Sequence, residues 1–322
     1  MSAFDDPTIM NFHIEITMVN DRGNLEMGQD TGGVFRDCLS AFWGHFYQSC
    51  SIGEDEKVSV LINSFQERKW TAIARILVKG HLQANYFPIK LCKAFLIEGL
   101  FGRSFLDDSI LLQSFLAYLS KDEREVATCA LADALTEEQN DDWLDFLDNF
   151  GAKSIPQGIE KVTSCLLEMA HKELIQKTRF VMNPWKEIMK PALKANASFN
   201  SVSAFLSMLK NLEPNTKQVV KMMNATPSNN AERDALSYLK RYIRGIQEDN
   251  LRKFLRFCTG GDVICTSEIL VSFTSLEGAA RRVVAHTCWL VLEVPTTYKC
   301  FPEFREEMDN ILSCNFWDMD YA

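Results

Sequence analysis

Residues 224–231 read NATPSNNA, and this stretch separates two kinds of sequence. Small polar residues and a proline, with no periodicity, add nothing to a core, so the stretch reads as a linker. Upstream of it, apolar residues recur at three- and four-residue steps, the period of helices buried along one face. Ile159, Val162, Leu166, Ala170 and Leu174 make one such series, and Phe105, Leu106, Ile110, Leu111, Phe115, Leu116 and Leu119 another. Downstream, one more helical stretch over about 232–257 leads to Thr259-Gly260-Gly261, a natural helix stop. Beyond it VICTS (263–267), EILVSF (268–273) and CWLVLEV (288–294) are short and β-branched, which predicts strands, and residues 303–314 close as a helix. The expected fold class is α+β. A mainly helical unit over 1–223 carries a few strands, residues 224–231 form a hinge, and a small α/β unit occupies 232–322.

Within the first unit, FHIEITMV (12–19) alternates apolar and polar side chains, which predicts a half-buried strand. Helical periodicity from 70 to about 100 is expected to break at Gly80 and Pro88. Gly32 and Gly33 mark a tight turn and close packing rather than a phosphate cradle, because no G-x-G-x-x-G follows.

With 322 residues, 47% hydrophobic and 24% charged, the chain has the balance of a globular protein. No run of 18 apolar residues predicts a membrane span, and the acidic start does not read as a signal peptide. A net charge of −9 repels phosphate backbones and steers basic protein partners instead. Ten cysteines lie scattered without any C-x-x-C pair, so reduced thiols are expected, with no metal site and no cofactor. Cytoplasm or nucleus is the compartment this implies.

Three stretches carry a family likeness. GQDTGGVFRD (28–37), LRKFLRFCTGG (251–261) and AHTCWLVLEVP (285–295) resemble, in order and separation, segments of the HECT-type ubiquitin-protein ligases. Tyr298 is similar to the tyrosine that follows the last segment in that family. The resemblance implies a bilobal HECT-like fold with an N-lobe over 1–223 and a C-lobe over 232–322. It also implies a transferase that takes ubiquitin from a conjugating enzyme as a thioester on Cys288 and passes it to a lysine of a protein substrate. The implied partners are ubiquitin, the conjugating enzyme and that substrate. Read without the family, a cysteine before Trp-Leu-Val-Leu is a buried strand residue. The resemblance turns that reading into an acceptor thiol.

His286, Thr287, Phe316 and Asp318 are the candidate supporting residues. His286 shares a strand face with Cys288 at a two-residue period, so a general base and a local structural residue are both open readings. Phe316 is similar to the family's phenylalanine near the C-terminus, and Asp318 or Asp320 offers a carboxylate to orient or deprotonate an incoming lysine; an apolar tail docked on the last helix is the other open reading. Arg36 and Asp37 read as fold-holding, and Arg281 and Arg282 as a solvated loop pair, with contact to ubiquitin or to nearby acids the other reading. Departures from the family lie at Val283-Val284, where Leu-Pro is usual, and at Trp289-Leu290, where Phe-Asn is usual. Trp289 is expected to keep the aromatic packing. Residues 122–157 are short and helical where the family carries a partly β conjugating-enzyme platform. That layout resembles a vertebrate subgroup of HECT-like proteins that includes the G2/M-phase-specific ubiquitin ligase. These departures motivate the alternative, a weak or inactive HECT-like binding module.

Overall fold

The computed structural model describes residues 1–17, 19 and 32–313. It is α+β and predominantly helical. The helices are α1 (Gly33–Ser49), α2 (Glu67–Ala84), α3 (Lys93–Phe101), α4 (Asp108–Tyr118), α5 (Lys121–Leu131), α6 (Glu137–Asn149), α7 (Ile159–Ala170), α8 (Arg179–Leu193), α9 (Val202–Leu212), α10 (Thr216–Met222), α11 (Asn230–Gly245), α12 (Glu248–Thr259) and α13 (Phe301–Ser313). The strands are short: β1 (Ser51–Ile52), β2 (Val58–Ser59), β3 (Met223–Asn224), β4 (Ile269–Thr274), β5 (Val284–His286) and β6 (Val291–Pro295). Two compact units result. A helical unit comprises Met1–Pro7, Gly44–Val78 and Lys90–Met208, and a sheet unit comprises the described residues of Thr8–Trp43, Lys79–Ile89 and Leu209–Ala322.

Large aromatic rings fill the helical unit. Trp185 packs edge-on against Phe95 with centroids 5.6 Å apart and lies 6.4 Å from Phe46, which in turn meets Trp70. Such rings bury more apolar area per residue than any aliphatic side chain. Two helices of this unit start with reciprocal caps, Ser120 with Glu123 ahead of α5 and Thr136 with Gln139 ahead of α6. Residues 122–157 are helical where described as regular structure, and the only sheet in the unit is the antiparallel β1–β2 pair.

The sheet unit has strand order β3-β4-β6-β5, with β3, β4 and β6 parallel and β5 antiparallel at the edge. Alternation places Ile269 and Val271 of β4 and Leu292 and Val294 of β6 in the core. Helix α12 meets them with Leu251, Phe254, Leu255 and Cys258, an i, i+3, i+4, i+7 stripe, and α13 adds Phe304, Met308 and Leu312. Val219, Met222 and Met223, just before the polar stretch, share this core with Ala235 and Leu239, just after it. The stretch 224–231 therefore begins on β3 and ends in α11, inside one unit, and the unit boundaries fall elsewhere in the chain.

Three local expectations change, and one strand is new. Residues 12–17 form no strand, because the Gln83 side chain takes both backbone groups of Ile14: the Ile14 N–H donates to Oε1 (3.0 Å), and Nε2 donates to the Ile14 carbonyl (2.6 Å). Gly80 sits inside α2, and its missing Cβ lets the Leu39 side chain approach. In VICTS, Val263, Ile264 and Cys265 are buried yet irregular: the Cys265 N–H bends back to the Val263 carbonyl (2.9 Å) and the Ile264 N–H goes to Leu212 (2.9 Å), so no ladder forms. The strand β5, in VVAH, carries too few residues to show a period.

Candidate functional site

Strands β5 and β6 run antiparallel, with His286 opposite Val291, and four residues, 287–290, join them. The Trp289 N–H donates to the His286 carbonyl (3.1 Å) and closes the turn. Leu290 adopts φ 55°, the left-handed region that β-hairpin loops use to bring the chain back into register. Its carbonyl accepts the Leu270 N–H of β4 (2.8 Å), which ties the turn to the next strand. Cys288 occupies this turn, half-buried, immediately before β6. Beside it Trp289 is 71% exposed, so the indole does not supply the aromatic packing expected of it. A side chain in a four-residue turn has no sheet face to bury against.

The first turn of α1 fits closely under the thiol's turn. A Cβ on Gly33 would lie 2.6 Å from the Thr287 carbonyl carbon and 2.7 Å from the Cys288 nitrogen, so only glycine permits this approach. Arg36, 8% exposed, donates from Nη2 to the Thr287 carbonyl (3.1 Å) and from Nε to the Thr259 carbonyl (2.6 Å). Thr259 ends α12, and Gly260 behind it takes φ 80°, a left-handed helix stop whose α-carbon faces the Gly33 carbonyl too closely for a Cβ. A cation on the open carbonyls of a helix C-terminus is also favoured by the helix dipole. One turn further along α1, Ser40 Oγ lies 2.9 Å from the Gly260 carbonyl and accepts the Asp262 N–H (3.1 Å). Asp37 pairs with Arg256 (2.7 Å), and the Tyr86 hydroxyl donates to Asp262 (2.7 Å).

Helix α13 holds the chain leading into β5. Glu307 accepts the Val283 N–H (3.1 Å) and the Tyr298 hydroxyl (2.7 Å). Arg281 pairs with Glu303 (2.7 Å) and lies over the Tyr298 ring (4.7 Å), so it is a buttress rather than a solvated loop residue. Burial first, and the Glu307 carboxylate second, push the Tyr298 hydroxyl well above the ordinary phenol range.

Among the candidate residues, Thr287 is buried, with its carbonyl held by Arg36. His286 lies on β5 with Nε2 3.4 Å from a Glu293 carboxylate oxygen. Phe316 and Asp318 lie outside the described residues. Burial pushes the Cys258 thiol up strongly and the Cys265 thiol up to about 12, and it raises Cys50, Cys92 and Cys165 as well. Those thiols are held protonated and are poor nucleophiles. Of the described cysteines, only Cys288 and Cys300 lie outside helices and are at least partly exposed. Ser40, Asn85, Tyr86 and Asp262 carry no sequence signal for this site, since their partners lie far along the chain.

Among the described residues no cluster of side chains suits a metal ion, and no helix is long and apolar enough to cross a membrane. An open groove of about 1160 Å³ lies in the helical unit, lined in part by Arg103, Phe150, Lys153 and Lys161. It shares no residue with the Cys288 site. Neither a protein-family model nor a curated protein matches the chain.

Proposed function

We propose that the chain is a HECT-type ubiquitin-protein transferase with Cys288 as the thioester acceptor, acting in the cytoplasm or nucleus. One observation carries the reading. The described parts of the three stretches that resemble the family, around Gly33–Asp37, Leu251–Gly261 and Ala285–Pro295, meet at one buried polar cluster directly beside Cys288. The first and last are separated by 251 residues at the Arg36–Thr287 contact.

In the transfer, Cys288 Sγ attacks the thioester carbonyl of ubiquitin carried by the conjugating enzyme. A new C–S bond forms, the old one breaks, and the proton of the Cys288 thiol ends on the departing thiol, with no net oxidation. A substrate lysine amine then attacks the new thioester, forms an amide and releases the Cys288 thiol. The exchange is nearly isoenergetic, so the protein's task is presentation: a thiol at the tip of a tied-down turn.

The test mixes the protein with ubiquitin, activating enzyme and a panel of conjugating enzymes and looks for a reductant-sensitive adduct. The adduct is expected with wild type and absent in Cys288→Ala. No adduct with any conjugating enzyme overturns the transferase, and an adduct that survives in Cys288→Ala but not Cys300→Ala moves the acceptor. The second reading, a module that binds without transferring, is favoured by the exposed Trp289 and the short helical stretch of α5 and α6. Ubiquitin-induced shifts in the Trp289 indole NMR signal without any adduct would select it.

A further inference from the structure

We propose that Arg36 is a positioning residue for Cys288: its guanidinium fixes the 287–290 turn in the one conformation that presents the thiol to a docked thioester. The role in transfer rests on the proposed function, whereas the hold on the turn stands apart from it. Four observations lead to it.

The guanidinium is buried, and two of its nitrogens are spent on main-chain carbonyls, Thr259 at the end of α12 and Thr287 immediately before the thiol. Burying a cation costs several kcal/mol unless its donors are used, so a buried arginine on carbonyls marks a geometry that the fold maintains. Second, the planar fork fixes the distance and the angle between the two carbonyls at once, which a lysine ammonium cannot do. Third, Arg36 is itself set from below, as its backbone N–H donates to Gly32 (3.1 Å) and its carbonyl lies 3.0 Å from Ser40 Oγ. Fourth, the turn is conformationally demanding. Leu290 sits at a positive φ that a leucine adopts only under restraint, and Trp289 points to solvent without packing. Pulling the Thr287 carbonyl onto Arg36, with Gly33 pressed against the Thr287–Cys288 peptide, removes the rotation that would swing the thiol away.

Misplacing a reacting group by about 1 Å costs on the order of 100-fold in rate when the partner is fixed, but little against a small diffusing reagent. That difference supplies the test, made on the full chain. Amide hydrogen exchange in Arg36→Met is expected to quicken at least ~10-fold at Trp289 and Leu270, whose N–H groups close and tie the turn, and to change little in α13. Unchanged exchange at both amides overturns the proposal whether or not the protein transfers ubiquitin. Alkylation of Cys300, read by peptide mass spectrometry, should stay within about 2-fold as a control for unfolding.

In single-turnover transfer from a charged conjugating enzyme, the maximal rate is expected to fall ~30- to 100-fold while the half-saturating concentration holds. Arg36→Lys, which reaches one carbonyl only, should fall between wild type and Arg36→Met. If transfer is normal in Arg36→Met, Arg36 does not position the thiol. If wild type forms no adduct, the transferase reading fails, and the exchange data alone decide whether Arg36 holds the turn. Should Arg36→Met not fold, Arg36→Lys carries the same measurements.

Discussion

The helical and sheet units use side chains on main-chain carbonyls in opposite ways. In the helical unit such bonds span shorter separations: Arg124 reaches carbonyls five and seven residues back, Lys172 one 22 residues back, and Arg75 the longest, those of Phe4 and Asp5, 71 and 70 residues back. In the sheet unit Arg36, Ser40 and Asn85 reach carbonyls 180 to 251 residues away. The helical unit is built mainly from apolar packing of neighbouring helices, with local polar bonds finishing the ends. Both units join three segments of the chain, but those of the sheet unit lie farther apart in sequence, and apolar surface alone does not specify how such segments align. Directional polar bonds and glycine close approaches do that work, and they gather where the candidate thiol sits.

The largest effect expected from breaking this division is in the helical unit. Trp185 is fully buried between Phe46 and Phe95, so Trp185→Ala should cost ~3–5 kcal/mol by loss of burial and the cavity left behind. Urea unfolding followed by tryptophan fluorescence and by hydrogen exchange should show the loss concentrated in α3 and α8, with the β4–β6 amides affected least. Equal loss in both units would mean that they unfold as one cooperative body, and the comparison would lose its energetic content.

Next comes Gly260→Ala, the corresponding break in the sheet unit. An added methyl meets a left-handed φ of 80° and the Gly33 backbone, and the two penalties together make about 2–4 kcal/mol. The expected signature is lowered protection of α12 and of the α1 amino end, with α5 and α6 unchanged. A neutral Gly260→Ala would show that the α1 segment is not closely seated on the α12 stop.

What was legible in the sequence follows the same line. The stripe of α7, the stop at Thr259-Gly260 and the strands β4 and β6 are local patterns, each visible in a window of a few residues, whereas the single helix expected over about 232–257 is two, α11 and α12, broken at 246–247. VICTS reads as a strand because it is short and β-branched, but composition is not pairing: the Ile264 N–H goes to Leu212 and the Cys265 N–H closes a tight turn on Val263. FHIEIT has the right alternation, yet a single Gln83 side chain occupies the pairing positions of Ile14. The polar stretch 224–231 has a linker's composition, and its few residues cross from β3 to α11 over one shared core. Around Cys288 the motifs were legible one by one. That Gly33 and Arg36 touch the peptide next to the thiol was not, because a contact 251 residues apart leaves no periodic trace.

A smaller and pH-dependent effect sharpens the account of the sheet unit. Tyr298 and Tyr242 each donate to a carboxylate, Glu307 and Asp309, and burial together with that carboxylate raises both phenols. A phenol whose folded pKa lies above its unfolded value of about 10 keeps its proton longer when folded, so its contribution is complete below pH ~10 and is lost as pH rises further. Stability of the sheet unit should therefore fall above pH ~10. Tyr298→Phe should cost roughly 1.5–2 kcal/mol at neutral pH, because the bond it removes ends on a carboxylate, and should flatten the alkaline slope. A slope unchanged in both Tyr298→Phe and Tyr242→Phe would place the alkaline loss elsewhere.

The smallest effect tests whether polar bonds in the helical unit really are local. Ser120 Oγ accepts the Glu123 N–H (3.3 Å) while the Glu123 carboxylate accepts the Ser120 N–H (2.9 Å), which satisfies two main-chain donors at the start of α5. All these groups are exposed, so water replaces much of what Ser120→Ala removes, and the expected cost is about 1 kcal/mol. The loss should appear as faster exchange in the first turn of α5 and nowhere else. Arg36→Met and Ser120→Ala each remove one polar side chain, yet the first should loosen residues more than two hundred positions away and the second only its own helix end. If Ser120→Ala propagated into α6 or α7, the helical unit would also depend on polar alignment, and the contrast with the thiol-bearing unit would be one of degree.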